Sequence, residues 1–181
     1  ATSAYAALIQ TFLFPAYFAR AIAPDAATGT VWWGNAMGIA GLAIAVLAPI
    51  LGALADRGGQ RRLFLAVLTL INVLATAALW TARPDADLAA RALVLAGVGT
   101  VALELAFGFY NAQLADLAAP ERVGRWSGWA WGLGYLGGLG CLLVALLGFV
   151  QATPPPFGLD PAAAEPVRAT FLLAAAWTAI F

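Results

Sequence analysis

Gly52-Ala53-Leu54-Ala55-Asp56-Arg57-Gly58-Gly59-Gln60-Arg61-Arg62 is a short charged turn between two long apolar segments. No charge occurs from Ala26 to Ala55 before it, and none from Leu63 to Ala82 after it. A charged side chain at the centre of a membrane helix costs about 2.5–3.5 kcal/mol. Charges kept to the connections, with bare spans between them, therefore describe a chain that crosses a bilayer.

Composition supports this. The 181 residues are 63% hydrophobic and 10% charged, against roughly a quarter charged in soluble domains. Disorder is excluded by the apolar content, and a soluble bundle by the lack of polar outer faces. Net charge is zero, so nothing points to nucleic acid as a partner. The nine basic residues are all Arg and Ala is abundant, as in a GC-rich bacterial genome, which makes the bacterial inner membrane the expected location. Cys141 stands alone in an apolar run, so neither a disulfide nor a thiolate metal site can be built within the chain. Histidine is absent, which removes the commonest general base and zinc ligand. No enzyme, metal or cofactor is expected.

The first residue is Ala rather than Met, and the last lies in an apolar run, so the sequence reads as a segment of a longer protein. Ala1–Ala19 lacks the basic start of a signal peptide and carries Gln10, Pro15 and Tyr17. A bilayer core takes about 20 helical residues. Runs between charges predict six spans, near Ala1–Ala19, Thr30–Ala55, Leu63–Ala82, Ala92–Ala112, Ser127–Val150 and Val167–Phe181, the first and last truncated. The expected fold is an all-α membrane protein, a six-helix bundle. Its connections are polar and proline-bearing, at Pro24 and Asp25, Pro84 and Asp85, Pro120 and Glu121, and Pro154 to Pro166.

One side of the membrane receives Arg57, Arg61, Arg62, Arg122 and Arg125 with Asp56, Asp116 and Glu121, five charges less three, or +2. The other receives Arg20, Arg83, Arg91 and Arg168 with Asp25, Asp85, Asp87, Asp160 and Glu165, four less five, or −1. The positive-inside rule puts the Gly52–Arg62 turn in the cytoplasm. Trp32, Trp33, Trp80 and Trp126 fall near span ends, where an aromatic belt is expected.

Glu104 is the one ionisable acid well inside a span, midway along the fourth. An acid there marks a solute or proton pathway unless it merely bonds a neighbouring helix. Gly97, Thr100, Glu104, Gly108 and Asn111 recur at spacings of three or four and form one small, polar stripe. Gln10 is a further candidate, since Ser3, Gln10 and Phe14 share a face with Ala6 and Ala7 that is able to line a cavity. Thr11, Asn35, Asn72, Thr76 and Tyr110 read as bonds between helices. The fifth span carries Gly124, Gly128, Gly132, Gly134, Gly137, Gly138 and Gly140, a ladder that admits close helix packing or serves as a hinge.

Gly52-x-Leu54-Ala55-Asp56-Arg57-x-Gly59-x-Arg61-Arg62, between the second and third of six helices, resembles the signature loop of the major facilitator superfamily. It departs from that pattern at Gln60, where a basic residue is usual. The superfamily's intramembrane Arg on the fourth helix and its antiporter Pro on the fifth are also absent. A narrower resemblance is to the vacuolar effluxer-like permeases, related to autophagy-linked amino-acid exporters. It rests on Ser3-Ala4-Tyr5-Ala6 with Phe14-Pro15-x-Tyr17-Phe18, and on Phe109-Tyr110-Asn111-Ala112. Pro120-Glu121-Arg122-x-Gly124-Arg125-x-Ser127-Gly128, Gly132-x-Gly134-Tyr135-Leu136-Gly137-Gly138, and Arg168-x-x-Phe171 with Trp177 complete it.

The resemblance implies one half of a major facilitator fold, a three-plus-three inverted repeat, whose missing carboxyl-terminal six-helix half is a partner along with the bilayer. It implies secondary transport of a small molecule, an amino acid in the best-supported cases, by alternating access. It assigns Gly52, Asp56, Arg57, Gly59, Arg61 and Arg62 to a cytoplasmic latch. The alternatives are a non-transporting receptor or assembly subunit, and a transporter of lipid-like or drug-like solutes.

Overall fold

A computed structural model describes residues 2–117 and 122–180, and side chains over 4–113 and 122–180. Ala1, Phe181, the Pro120–Glu121 connection and the Ser3 and Asp116 side chains, all used above, lie outside the described residues. Six long helical segments follow one another, with a short turn of helix at Pro156–Gly158 before the last and no strand among the described residues. They are α1 over 2–22, α2 Ala26–Gly58, α3 Arg61–Ala78, α4 Ala89–Leu117, α5 Val123–Ala145 and α6 Glu165–Ile180. Tighter and wider turns extend α3 over Leu79–Thr81 and α5 over Leu146–Val150. The segments at α2, α3, α4 and α5 are each long and apolar enough to cross a membrane, and α1 contains a shorter apolar helix, Ala6–Ile22. The chain is an all-α integral membrane bundle.

Helix ends run past the charge-free stretches, because capping and not hydropathy decides where a helix stops. α2 begins at Ala26 rather than Thr30: the Asp25 carboxylate accepts from the Thr28 hydroxyl at 2.6 Å and the Thr28 N–H at 2.9 Å. These bonds, the hydroxyl's first, hold the Asp25 carboxyl below the usual carboxylate range. At its other end α2 continues through Arg57 to Gly58, and Gly59 closes it with φ +61°. That left-handed turn lets Gln60 N–H reach the Ala55 carbonyl at 3.1 Å. A side chain there would cost about 1–2 kcal/mol, which explains the glycine. The charged turn is thus two residues long, and its arginines stand on helix ends.

α4 is the central helix, packed on α3 and α2, while α1 contacts α2, α5 and α6. Its inner face is made of small residues, with Ala92, Ala96, Gly99, Ala102 and Ala106 buried. In lipid, close approach of this kind replaces the hydrophobic effect as the source of helix cohesion. α4 and α5 make little contact. α2 and α5 turn large apolar side chains outward, among them Leu42, Val46, Leu133 and Leu136, as lipid or a further protein surface requires.

The two ends of the bundle differ. At the end away from the Gly52–Arg62 turn, Phe14, Phe18 and Phe171 are fully buried, with Trp33 5.4 Å from Phe14 and Phe171 5.5 Å from it. Arg168, read above as a charge of the outer connections, is 2% exposed. Its Nε donates to the Trp80 carbonyl at 2.7 Å, its Nη1 to Ala163 at 3.2 Å, and its guanidinium lies 4.5 Å over the Trp80 ring. A cation at the carbonyl end of α3 meets the negative end of the helix dipole. Trp33 and Trp80 therefore face inward, whereas Trp32 and Trp126 are exposed.

Candidate functional site

The other end is open. A cavity of about 680 Å³ is lined from α1, α3, α4, α5 and α6. Leu65 and Thr69 lie just after the Gly52–Arg62 turn, and Thr178 lies near the end of α6. Because successive helices alternate direction, the cavity belongs to the end of the bundle that carries the turn.

α1 presents Ala6, Ala7, Thr11 and Phe12 to this cavity, not Gln10. The reason is local. Ala6–Phe12 is a π-helix, whose bonds join residues five apart, so Ala6 aligns with Thr11 and Ala7 with Phe12. Gln10 falls off the cavity face, and Phe14 is buried in the closed end. Pro15 has no N–H, so the Thr11 carbonyl lacks its α-helical donor.

α4 presents Leu103, Glu104, Ala106, Phe107, Tyr110 and Asn111. Glu104 is exposed to the cavity and makes no hydrogen bond or ion pair with a described residue. Thr100, one turn earlier on the same stripe, does not reach the cavity. It is buried between helices, its hydroxyl 3.3 Å from Tyr5 Oη and 3.9 Å from Met37 Sδ. Tyr5 also donates to the Ala96 carbonyl at 3.1 Å. Beside it, Asn72 Nδ2 donates to the Gly99 carbonyl at 2.9 Å, and Thr76 bonds its own helix at Asn72 O. Asn72 Oδ1 has no partner among the described residues. Asn72 is thus an interhelical bonder, while Asn35 is exposed.

α5 contributes Ser127, Trp131, Gly134, Tyr135 and Gly138. Trp131 and Tyr135 are site residues that the sequence marks only by their spacing of four, which puts both rings on one face of α5. Gly128 and Gly132 do not seat a neighbouring helix: no described atom comes within 4 Å of a Cβ placed there. Gly137 approaches Trp177 Nε1 at 4.0 Å, and Gly138 is buried. The ladder is part cavity wall and part open surface.

At the turn, Ala55 is fully buried while Asp56 is exposed and accepts from Arg61 Nε at 2.8 Å. Arg57, Arg62 and Gly59 are exposed, and Gly52 is half-buried with open space where a Cβ would stand. No group of acidic or thiol side chains able to hold a metal occurs among the described residues.

The chain is similar to the uncharacterized MFS-type transporter YxiO of Bacillus subtilis (strain 168), with 28% identity over 184 residues. The match takes in 100% of this chain and 42% of that protein, so the chain spans under half the length of the curated relative it matches. No family model matches, and no solved structure gives a significant match. Fold and similarity agree on a helical membrane bundle of the kind that makes one half of an MFS-type transporter.

Proposed function

We propose that the chain is the amino-terminal six-helix half of a secondary active transporter that moves a small polar solute by alternating access. The effluxer-like resemblance favours an amino acid. One observation carries the reading: a carboxylate, Glu104, stands without a partner among the described residues in a large cavity open at one end of a bundle whose other end is packed shut. A receptor or assembly subunit has no need of such a charge in the membrane, where it is costly unless it serves a pathway. The similarity to an MFS-type transporter supports the same class.

In this reading the Gly52–Arg62 turn is cytoplasmic and the cavity faces the cytoplasm. The two three-helix repeats would rock as a body against the missing half, with the solute held between them. The Asp56–Arg61 pair is a surface pair worth about 1 kcal/mol or less, which suits a latch that breaks and reforms. Gly134 and Gly138 allow α5 to bend where it lines the cavity. Glu104, with Asn111 on its face, is the candidate coupling and solute-binding acid, and Thr100 fixes α4 behind it. The test is a solute screen, as uptake or efflux, on the full-length protein in vesicles at two pH values. Flux of a small polar solute supports the reading, and a protein that moves none of the classes screened contradicts it.

A further inference from the structure

Glu104 is the one charged side chain among the described residues lining the cavity, and no arginine reaches that wall. The same cavity is lined by a continuous aromatic run that passes from α4 to α5. Phe107 lies 6.2 Å from Tyr110 and 5.7 Å from Trp131, and Trp131 lies 5.6 Å from Tyr135, centroid to centroid. Tyr110, Trp131 and Tyr135 are exposed to the cavity, so ring surface is open to a ligand. Glu104, Phe107 and Asn111 follow spacings of three and four on α4 and share one face.

A carboxylate and aromatic ring faces present the same sign of potential, negative, and both attract a cation. An anion would meet the Glu104 carboxylate with nothing positive on the wall to offset it. Arg57, Arg62, Arg122 and Arg125 stand at the same end of the bundle, but all are exposed. Their field is hydrated and screened over about 8 Å at physiological salt. The volume, about 680 Å³, accommodates a small organic molecule.

We propose that this cavity binds an organic cation, a protonated or quaternary amine on a flat apolar body, with the amine at Glu104 and the body against Trp131 and Tyr135. Any carboxylate on the solute would have to be met from outside these helices. The proposal rests on the transporter reading only for the carriage of the cation, not for its binding.

The test is isothermal titration of the full-length protein in lipid nanodiscs with phenethylammonium, its trimethyl derivative, 3-phenylpropionate and 3-phenylpropan-1-ol. Both cations are expected to bind at least about tenfold more tightly than the anion or the alcohol. Glu104→Gln should remove that preference, Glu104→Asp should keep it, and Trp131→Leu should weaken both cations more than Trp131→Phe does. The anion or alcohol binding as tightly as the cations, or a folded Glu104→Gln protein binding them like the wild type, would overturn the proposal. Cations bound with this selectivity, by a protein that carries no solute of any class screened, uphold it and remove the transport reading. Carriage of another solute without binding of either cation overturns it and leaves transport standing.

Discussion

The Tyr5 hydroxyl fills the space that a side chain at Gly99 would occupy: a Cβ built on Gly99 would lie 2.6 Å from Tyr5 Oη. Tyr5 is fully buried, so its ring has no room to withdraw. The contact brings α1 against α4, and the same hydroxyl bonds the Ala96 carbonyl and lies 3.3 Å from Thr100. One turn further on, α4 carries Glu104 into the cavity. The cavity's acid is therefore held from behind by a tyrosine–glycine contact that no charge pattern reveals.

Gly99→Ala should destabilise the bundle by about 1–3 kcal/mol, the usual cost of overpacking. Thermal unfolding of the full-length protein in detergent measures it. Tyr5→Phe removes the clashing oxygen, so the double variant should lose less than the two single losses added. Strict additivity would show that the two residues do not meet.

Arg168→Lys should lower stability although the charge is kept. The guanidinium makes three separate contacts, with the Trp80 carbonyl, the Trp80 ring and the Ala163 carbonyl, and an ammonium cannot hold all three. A loss of about 1.5–3 kcal/mol is expected, the range for hydrogen bonds from a charged group. A melting temperature equal to the wild type's would mean that Arg168 does not close this end of the bundle.

How these sites related to the sequence follows from the kind of information each needed. The bilayer-crossing class was legible in the bare runs flanking Asp56 and Arg57, because hydropathy is a property of composition along the chain. Glu104 was legible for the same reason. Gln10 was not where ideal helical spacing put it, since the π-helical turns of Ala6–Phe12 rotate Thr11 into its place. Thr100 shared the stripe of Glu104 yet went to a helix contact, because α1 covers that part of α4 through Tyr5. Arg168 looked like a loop charge, and only the position of the α3 carbonyl end explains its burial. Gly128 and Gly132 predicted a close neighbour that the six helices do not supply.

Asp56→Asn should leave stability within about 1 kcal/mol of the wild type, because Asp56 and Arg61 are paired at the surface. If the turn is a latch, the transport rate and the relative accessibility of the two sides should nonetheless change. Vesicle flux and labelling from each side check this. Unaltered rate and accessibility would reduce the turn to a determinant of topology.

Glu104 is the residue on which the proposed transport path most directly depends. Initial rates of solute flux into vesicles, measured for the full-length protein and its Glu104→Gln variant, test this. The variant should lose flux or raise KM by about tenfold, as removing the charge partner of a bound solute does. Equal rates and equal KM in the two proteins would contradict this role and take Glu104 out of the transport path.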